Sequence, residues 1–435
     1  MNESGGQSDQ SAEHSTEHSS EHRAAIRVIE GLRGKGHVAF LAGGCVRDLL
    51  LGVEPKDFDV ATDAEPDEIK AYFRKTASVG AAFGVMLVRD FGCTIEVATF
   101  RSDGVYSDAR RPDSVEFSSP EEDAQRRDYT INALFMDPFA EDESGRIIDL
   151  VNGLPDVRNR VLRAVGNPAD RLREDHLRAL RGVRFAAKYT LTIEPKTHDA
   201  IREDAKSLSG VSIERIGEEC RKMLLHASRV RACTLIDELG LDDAIFGDAN
   251  PFDPSVMAAL GSEMNDMPYP LSLAALAIGR GYSISDDPAK DDPSKITGHY
   301  RKALDLSNTD RDAMRAILEC VRKFNNQWIS LGEAGRKRLA SRQWACGALS
   351  IYRAIEIAAG EQIAHDIETL AERFGGLSPE PLVTGGDLIE HGYTPGPAFK
   401  ALLDEVYDEQ LEGRITTKHQ AFEFIETQTS IKKKK

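Results

Sequence analysis

Two aspartates, Asp57 and Asp59, stand one residue apart in "KDFDVAT", a run whose Phe, Val and Thr content predicts a strand. Alternate residues of a strand share a face, so the two carboxylates would project together with their Cα atoms about 7 Å apart. Such a pair repels itself unless a cation lies between. Mg2+ is the natural cation, because it takes hard oxygen ligands and keeps positions open for substrate phosphates. Two such ions about 4 Å apart activate an attacking hydroxyl and neutralise a leaving pyrophosphate. Glu96 in "TIEVATF" is the candidate third acid, on a strand expected beside the first. Just upstream, "LAGGCVRD" places Gly43 and Gly44 after an apolar run, where a bare backbone can approach a triphosphate. Arg47, in the first turn of the helix that follows, has the fork of donors to clamp a phosphate. Neither half carries much alone; in this order and this close together they indicate nucleotidyl transfer.

The elements that must hold these residues follow from periodicity. "AAIRVIEGLRGKGH" reads as a helix, "VAFLAGG" as a strand and turn, "CVRDLLLG" as a helix, and "DFDVAT" as a strand. A helix, "DEIKAYFRK", then leads to three expected strands, "GVMLVRD", "CTIEVATF" and "SVEFSS", and this mixed α/β part ends near "IIDLVNG". From "ADRLREDHLRALRGVRFAAKY" onward, helical periodicity dominates with no convincing strand. The expected fold class is α/β plus all-α: a small mixed α/β head followed by a long helical body, with "FGGLSPEPLVTGGDLIEHGYTPGPAF" leading into a compact C-terminal helical unit.

Bulk properties set limits. The 435 residues suffice for two to four domains. No apolar run approaches the roughly 18 residues that span a membrane. The polar, low-complexity start, with His14, His18 and His22 four apart, reads as a disordered tail rather than a signal peptide or metal site. Six cysteines without paired spacing fit neither zinc nor a disulfide framework, so a reducing cytoplasm is expected. The net charge of −17 speaks against nucleic acid at first, but Asp156–Lys188 holds nine Lys/Arg against four Asp/Glu, a local +5 that suits a polyanion.

Two further motifs lie in and before that basic stretch. In "RRDYTINAL", Arg126 and Arg127 form a basic pair, and Asp128 and Asn132 fall at i, i+4 if helical. In "REDHLRALRGVRF", Asp175, Arg178, Arg181 and Arg184 recur every three residues, a stripe along one helix face. Alone, such a stripe is usually a solvated, salt-bridged face.

Taken together, "GGCVRDLLLGVEPKDFDVAT", "RRDYTINALFMD", "IIDLVNGLPDVRNRVLRAVGNP", "REDHLRALRGVRFA", "SIERIGEECRKML" and "PLVTGGDLIEHGYTPGPAF" resemble the ordered motifs of the class II tRNA nucleotidyltransferase and bacterial poly(A) polymerase family. The resemblance runs from about residue 24 and is weakest between roughly 235 and 375. It implies a polymerase-β-like head over 24–155 after the polar tail 1–23, a helical neck over 156–235, a body over 236–375 and a tail over 376–430. It implies Mg2+ held by Asp57 and Asp59, and a nucleotide bound by Gly43, Gly44, Arg47, Arg127, Asp128, Asn132, Asp175, Arg178, Arg181 and Arg184. In that scheme Arg127, Asp128 and Asn132 serve ribose and phosphate, Asp175 and Arg178 read the base edge, and Arg181 and Arg184 bind phosphate.

Hydrogen-bond chemistry agrees with the last pairing. Adenine and cytosine present an amino donor beside an unprotonated ring nitrogen, which a carboxylate and a guanidinium match; uracil and guanine reverse both bonds. CTP and ATP are therefore the expected substrates, and the resemblance implies tRNA as the partner and completion of the 3′ CCA end as the activity. "TFRSDGVYSDARRPDSVEFSS", with Arg101, Asp103, Arg110 and Arg111, resembles the flexible loop that helps the family switch from C to A addition. "GAAF" at Gly80–Phe83 replaces the basic pair that poly(A) polymerases carry there. An A-adding enzyme, a poly(A) polymerase and, more distantly, a non-catalytic RNA-binding protein are the alternatives.

Overall fold

The computed structural model describes residues 19–79, 84–104, 114–141, 146–263, 266–285, 292–373, 375–396 and 398–428. His14, His18, Gly80–Phe83, Arg110 and Arg111 lie outside the described residues. The chain divides into two compact units, one ending at Asp204 and one beginning at Ala205.

The first unit is built on a seven-stranded mixed sheet. Its strands are β1 (Ala39–Ala42), β2 (Asp59–Thr62), β3 (Thr76–Ser78), β4 (Val85–Val88), β5 (Ile95–Thr99), β8 (Leu134–Met136) and β9 (Ile147–Asp149), in the order β3-β4-β5-β2-β1-β8-β9. Only the β2–β5 pair is parallel. β6 (Arg101–Asp103) and β7 (Val115–Phe117) form a separate antiparallel hairpin, so the expected strand "SVEFSS" does not join the main sheet. Alternating burial along β5, with Ile95 and Val97 inside and Glu96 outside, is the half-buried pattern of a sheet with one covered face.

Helices flank this sheet. α1 (Ser20–Arg33) starts where Ser19 accepts a hydrogen bond from the His22 amide, and it buries Ala24, Ala25, Val28, Ile29 and Leu32. Disorder was expected through residue 23, yet Ser20–Arg23 is helical, because the Ser19 cap and this apolar stripe extend order toward the N-terminus. α2 (Gly44–Leu50), α3 (Pro66–Tyr72), α4 (Pro120–Gln125) and α5 (Gly153–Arg158) follow. α6 (Pro168–Glu174), α7 (Arg178–Lys188) and α8 (Pro195–Asp204) complete the unit. Two short strands also occur past the expected end of the mixed α/β part, where β11 (Thr192–Ile193) pairs in parallel with β10 (Val161–Leu162).

The second unit is helical. The helix Asn308–Asn326 buries Met314, Ile317, Leu318, Val321 and Phe324 on one stripe and packs against Tyr269–Gly279 and Ala345–Ile355. A separate core joins Leu388, Leu402, Val406, Ala421 and Ile425 from the last three helices with Val383, Tyr393 and Ile415 from the segments beside them. Among the described residues, no helix is long and apolar enough to cross a membrane.

Candidate active site

Asp59 opens β2 opposite Ala42, the last residue of β1. The next pair would bring Gly43 to the strand, but Gly43 turns away with φ 69° and ψ −121° and starts α2. Without a pairing partner, the chain before Asp59 is not strand. Asp57 therefore precedes β2 as an exposed residue rather than lying on it, correcting the expected strand start. The backbone at Gly43 is in the region that favours glycine, and a Cβ there would press on Arg127 Nη1 at 2.9 Å.

Glu96 approaches from β5. The parallel pair Val60–Val97 puts Glu96 level with Asp59 on the neighbouring strand. Burial and repulsion from Glu96 and Asp57 push the Asp59 carboxyl up to about 6, against the pull of Arg127. Three carboxylates thus share one field beside one arginine. Among the described residues, no three His, Cys, Asp or Glu side chains are gathered into a ready-made metal cage. The donor set nonetheless fits a hard divalent cation: it is all oxygen, carries unneutralised charge, and leaves ligand positions for phosphate and water.

The cations are distributed differently from the sequence expectation. Arg47, expected as an open phosphate clamp, is only 6% exposed. Its Nε and Nη2 donate to Asp48 Oδ1 at 2.8 and 2.6 Å, Nη1 donates to Asn132 Oδ1 at 2.5 Å, and Nη2 also donates to the Tyr189 hydroxyl at 2.6 Å. The Phe185 and Tyr189 rings lie 5.1 and 4.4 Å from its guanidinium carbon. Arg127 is the cation beside the glycine turn. Its Nη1 donates to the Asn132 carbonyl at 3.0 Å, while Nε and Nη2 hold Asp123 Oδ2 at 3.1 and 2.9 Å.

Asp123 escaped the sequence reading. It is buried and also binds Arg126 at 2.5 Å, so one carboxylate orients both arginines of the pair. Burial raises its pKa, but Arg127 and Arg126 outweigh that and hold it below the usual range. The signal was present as acid-to-arginine spacings of three and four in "DAQRRD".

Asp128 and Asn132 meet, but not on a helix. Residues 130–132 form a short 3-10 turn before β8, and Asn132 Nδ2 donates to Asp128 Oδ1 at 3.0 Å across it. Arg181 donates to Asp128 Oδ2 through Nε and Nη2 at 2.9 and 2.6 Å. Burial would raise the Asp128 pKa, yet Arg181, Asn132 and the Tyr129 amide bring it to about 2. This lowered value contributes stability that is present above the unfolded pKa near 3.9 and is lost as pH falls through about 2, worth about 2 kcal/mol. Asp128→Asn is therefore expected to lower the melting temperature at pH 7 and to flatten its pH dependence between pH 4 and 2. Thermal melts across that range would check this.

"REDHLRALRGVRF" is not one helix. α6 ends at Glu174, and Asp175 is extended with φ −154° and ψ 102°. Its Oδ1 accepts the Leu177 amide at 3.1 Å, a local bond that starts α7 anew at Arg178. The stripe expected on a single helix is therefore confined to Arg178, Arg181 and Arg184, with Asp175 at the break. Arg178 is buried and donates from Nη1 to Glu174 Oε2 at 2.5 Å and to the Arg171 carbonyl at 2.7 Å. Glu174 also binds Arg171 at 2.7 Å. The Arg184 guanidinium carbon stands 4.3 Å from the Phe185 ring centre. Gly182 lets α7 close on Tyr129, whose hydroxyl donates to the Arg178 carbonyl at 2.6 Å; a Cβ at 182 would overlap that hydroxyl.

Known proteins agree with this arrangement along the chain. Residues 39–163 match the model of the poly A polymerase head domain. Residues 190–252 match that of the probable RNA and SrmB-binding site of polymerase A, and 295–425 a putative tRNA nucleotidyltransferase domain 2. The CCA-adding enzyme of Lacticaseibacillus paracasei is 32% identical over 398 residues, covering 90% of this chain and 93% of its own. That of Streptococcus mutans is 33% identical over 410 residues, covering 91% and 94%. The crystal structure of the Bacillus stearothermophilus CCA-adding enzyme in complex with CTP superposes with a TM-score of 0.72 at 29% identity, covering 93% of this chain and 98% of that one. With the paired carboxylates, the glycine turn and the arginine-bearing helix all in place, identity sustained over nine-tenths of both chains shows that this protein belongs to the family of CCA-adding enzymes.

Proposed function

We infer that the protein completes the 3′ end of tRNA, adding C, C and A from CTP and ATP without a template. The observation that carries the reading is the placing of Asp59 at the head of β2, level with Glu96 on β5 and next to the Gly43 turn against which Arg127 rests. In the reaction, the 3′-hydroxyl oxygen of the tRNA bonds to the α-phosphorus, the bond to the bridging oxygen breaks, pyrophosphate leaves, and the hydroxyl proton passes to solvent. Asp57 and Asp59 would hold Mg2+, with Glu96 adding to the field that attracts it. When bound, the cation supplies neutralisation of phosphate charge and lowers the pKa of the attacking hydroxyl.

The chain's own residues do the rest. Gly43 and Gly44 give the triphosphate access to the backbone, and Arg127, fixed by Asp123, offers positive charge beside that turn. Asp128 and Asn132 shape the ribose side of the site. Asp175 and Arg178 read the base edge, while Arg181 and Arg184 on the same helix favour phosphate. The helical unit would grip the acceptor stem and elbow by shape and backbone contacts, suited to a partner common to all tRNAs. All six cysteines are free thiols, which suits work in a reducing cytoplasm.

The test is incorporation of single labelled nucleotides, with Mg2+, on three tRNA transcripts ending before CCA, after the first C and after CC. Two C and then one A are expected. Addition of A only to the CC-ended transcript would make the protein an A-adding enzyme, and long A tails on any RNA a poly(A) polymerase.

A further inference from the structure

Five buried polar side chains form one continuous run beneath the site. Asp48 holds Arg47, Arg47 holds Asn132, and Asn132 holds Asp128. Tyr189 closes the run by accepting from Arg47. Arg181, half exposed, joins its far end through Asp128. Neither Asp48 nor Tyr189 has a place in the nucleotide contacts argued above.

The geometry of each link leaves one arrangement. Asp48 Oδ1 takes both Nε and Nη2 of Arg47, which fixes the guanidinium plane. The Tyr189 ring lies 4.4 Å from that guanidinium carbon and its hydroxyl takes the same Nη2. Nη1 is thereby aimed at Asn132 Oδ1, which orients the amide so that Nδ2 meets Asp128. Buried charge of this kind contributes little net stability compared with apolar packing. What it does supply is a unique register between elements far apart in sequence.

The elements joined are the ones the reaction must keep in register. Arg47 lies in the first turns of α2, directly after the glycine turn. Arg181 lies on α7 and Tyr189 caps its C-terminal end, so α7 is tied to α2 directly through Tyr189 and, by way of Asp128 and Asn132, through Arg181, two points eight residues apart, about 12 Å along a helix. Two such points fix both the tilt and the rotation of α7, whose other end carries Arg178 beside Asp175.

We propose that Asp48 and Tyr189 are positioning residues for nucleotidyl transfer, holding Arg47 so that the glycine turn and the base-reading helix stay at one fixed separation. The inference rests on the function proposed above. Tyr189→Phe keeps the ring and removes the one hydroxyl that ties the end of α7 to Arg47. It is expected to lower kcat about ten- to a hundredfold, the scale of a small misplacement at a reacting centre, with both CTP and ATP. KM for either nucleotide should stay within about twofold, since the loss is confined to the transition state.

The experiment measures kcat and KM for CTP on a transcript lacking CCA and for ATP on one ending in CC. Wild type, Tyr189→Phe, Arg47→Lys and the double variant are compared, with thermal melts to correct for folded fraction. If Tyr189 acts through Arg47, the double variant should be no slower than Arg47→Lys alone, within about twofold. Wild-type kcat per folded Tyr189→Phe enzyme would overturn the proposal, and so would losses that multiply in the double variant. Absence of incorporation by the wild-type protein would instead overturn the proposed function. Asp48→Asn adds a second reading from the opposite side of Arg47, expected to fall in kcat in the same way.

Discussion

Asp59→Asn is expected to abolish nucleotide addition while making the protein more stable. The carboxyl is pushed up to about 6 by burial and by Glu96 and Asp57. A folded-state pKa above the unfolded value gives stability below pH 4 that is lost as pH rises through about 6, so at pH 7.5 the ionised group strains the fold. Neutralising it should recover on the order of 1–3 kcal/mol, seen as a higher melting temperature. Catalysis should fall by roughly 10³-fold or more, the scale of losing several kcal/mol of charge stabilisation on the reacting phosphate. Millimolar Mg2+ should raise the melting temperature of the wild type and leave Asp57→Ala/Asp59→Ala unmoved, which reads the cation without any activity assay. A variant that melts lower and retains turnover would remove Asp59 from the site.

The second large effect concerns which nucleotide enters. Asp175→Asn is expected to lower the preference for CTP over UTP about 10- to 100-fold, with CTP turnover reduced less. The reasoning is a matched exchange of groups. A carboxylate only accepts, so uracil's carbonyl facing it leaves an unsatisfied pair costing about 1–3 kcal/mol. An asparagine amide can turn its NH2 toward that carbonyl and relieve the mismatch. The asparagine Oδ1 can still take the Leu177 amide and keep the break between α6 and α7. Arg178→Ala would be ambiguous, since Arg178 also ties Glu174 and the Arg171 carbonyl together. Labelled UTP and CTP offered separately to a transcript ending before CCA would measure the ratio. An unchanged ratio would place base discrimination elsewhere.

Several parts of the architecture were legible because they depend on local pattern. The strands β1, β4 and β5 and the helices α2 and α3 fall where apolar periodicity and glycine turns put them. The helical second unit follows from the same cue. Errors cluster where a side chain or a missing partner overrides local preference. "DYTIN" has helical spacing, yet Thr130–Asn132 is a short turn feeding β8. "SVEFSS", by contrast, is strand as its composition predicts, and only its partner, β6 rather than the main sheet, came from the fold.

By itself, the sequence determined the elements of the chemistry, namely two carboxylates near a glycine turn, a third acid in a neighbouring apolar run and an arginine pair, while a base-reading role for Asp175 and Arg178 is what the family resemblance implies. Residue type and short spacing suffice for that, because hydrogen-bonding capacity and charge belong to the residue. Tertiary structure alone decided which of these groups face the site. Arg47 is drawn inward by Asn132, 85 residues away, and Tyr189, 142 residues away, which leaves Arg127 as the cation at the glycine turn. A buried charge must find its partner wherever the fold brings one, and no spacing along the chain records that meeting.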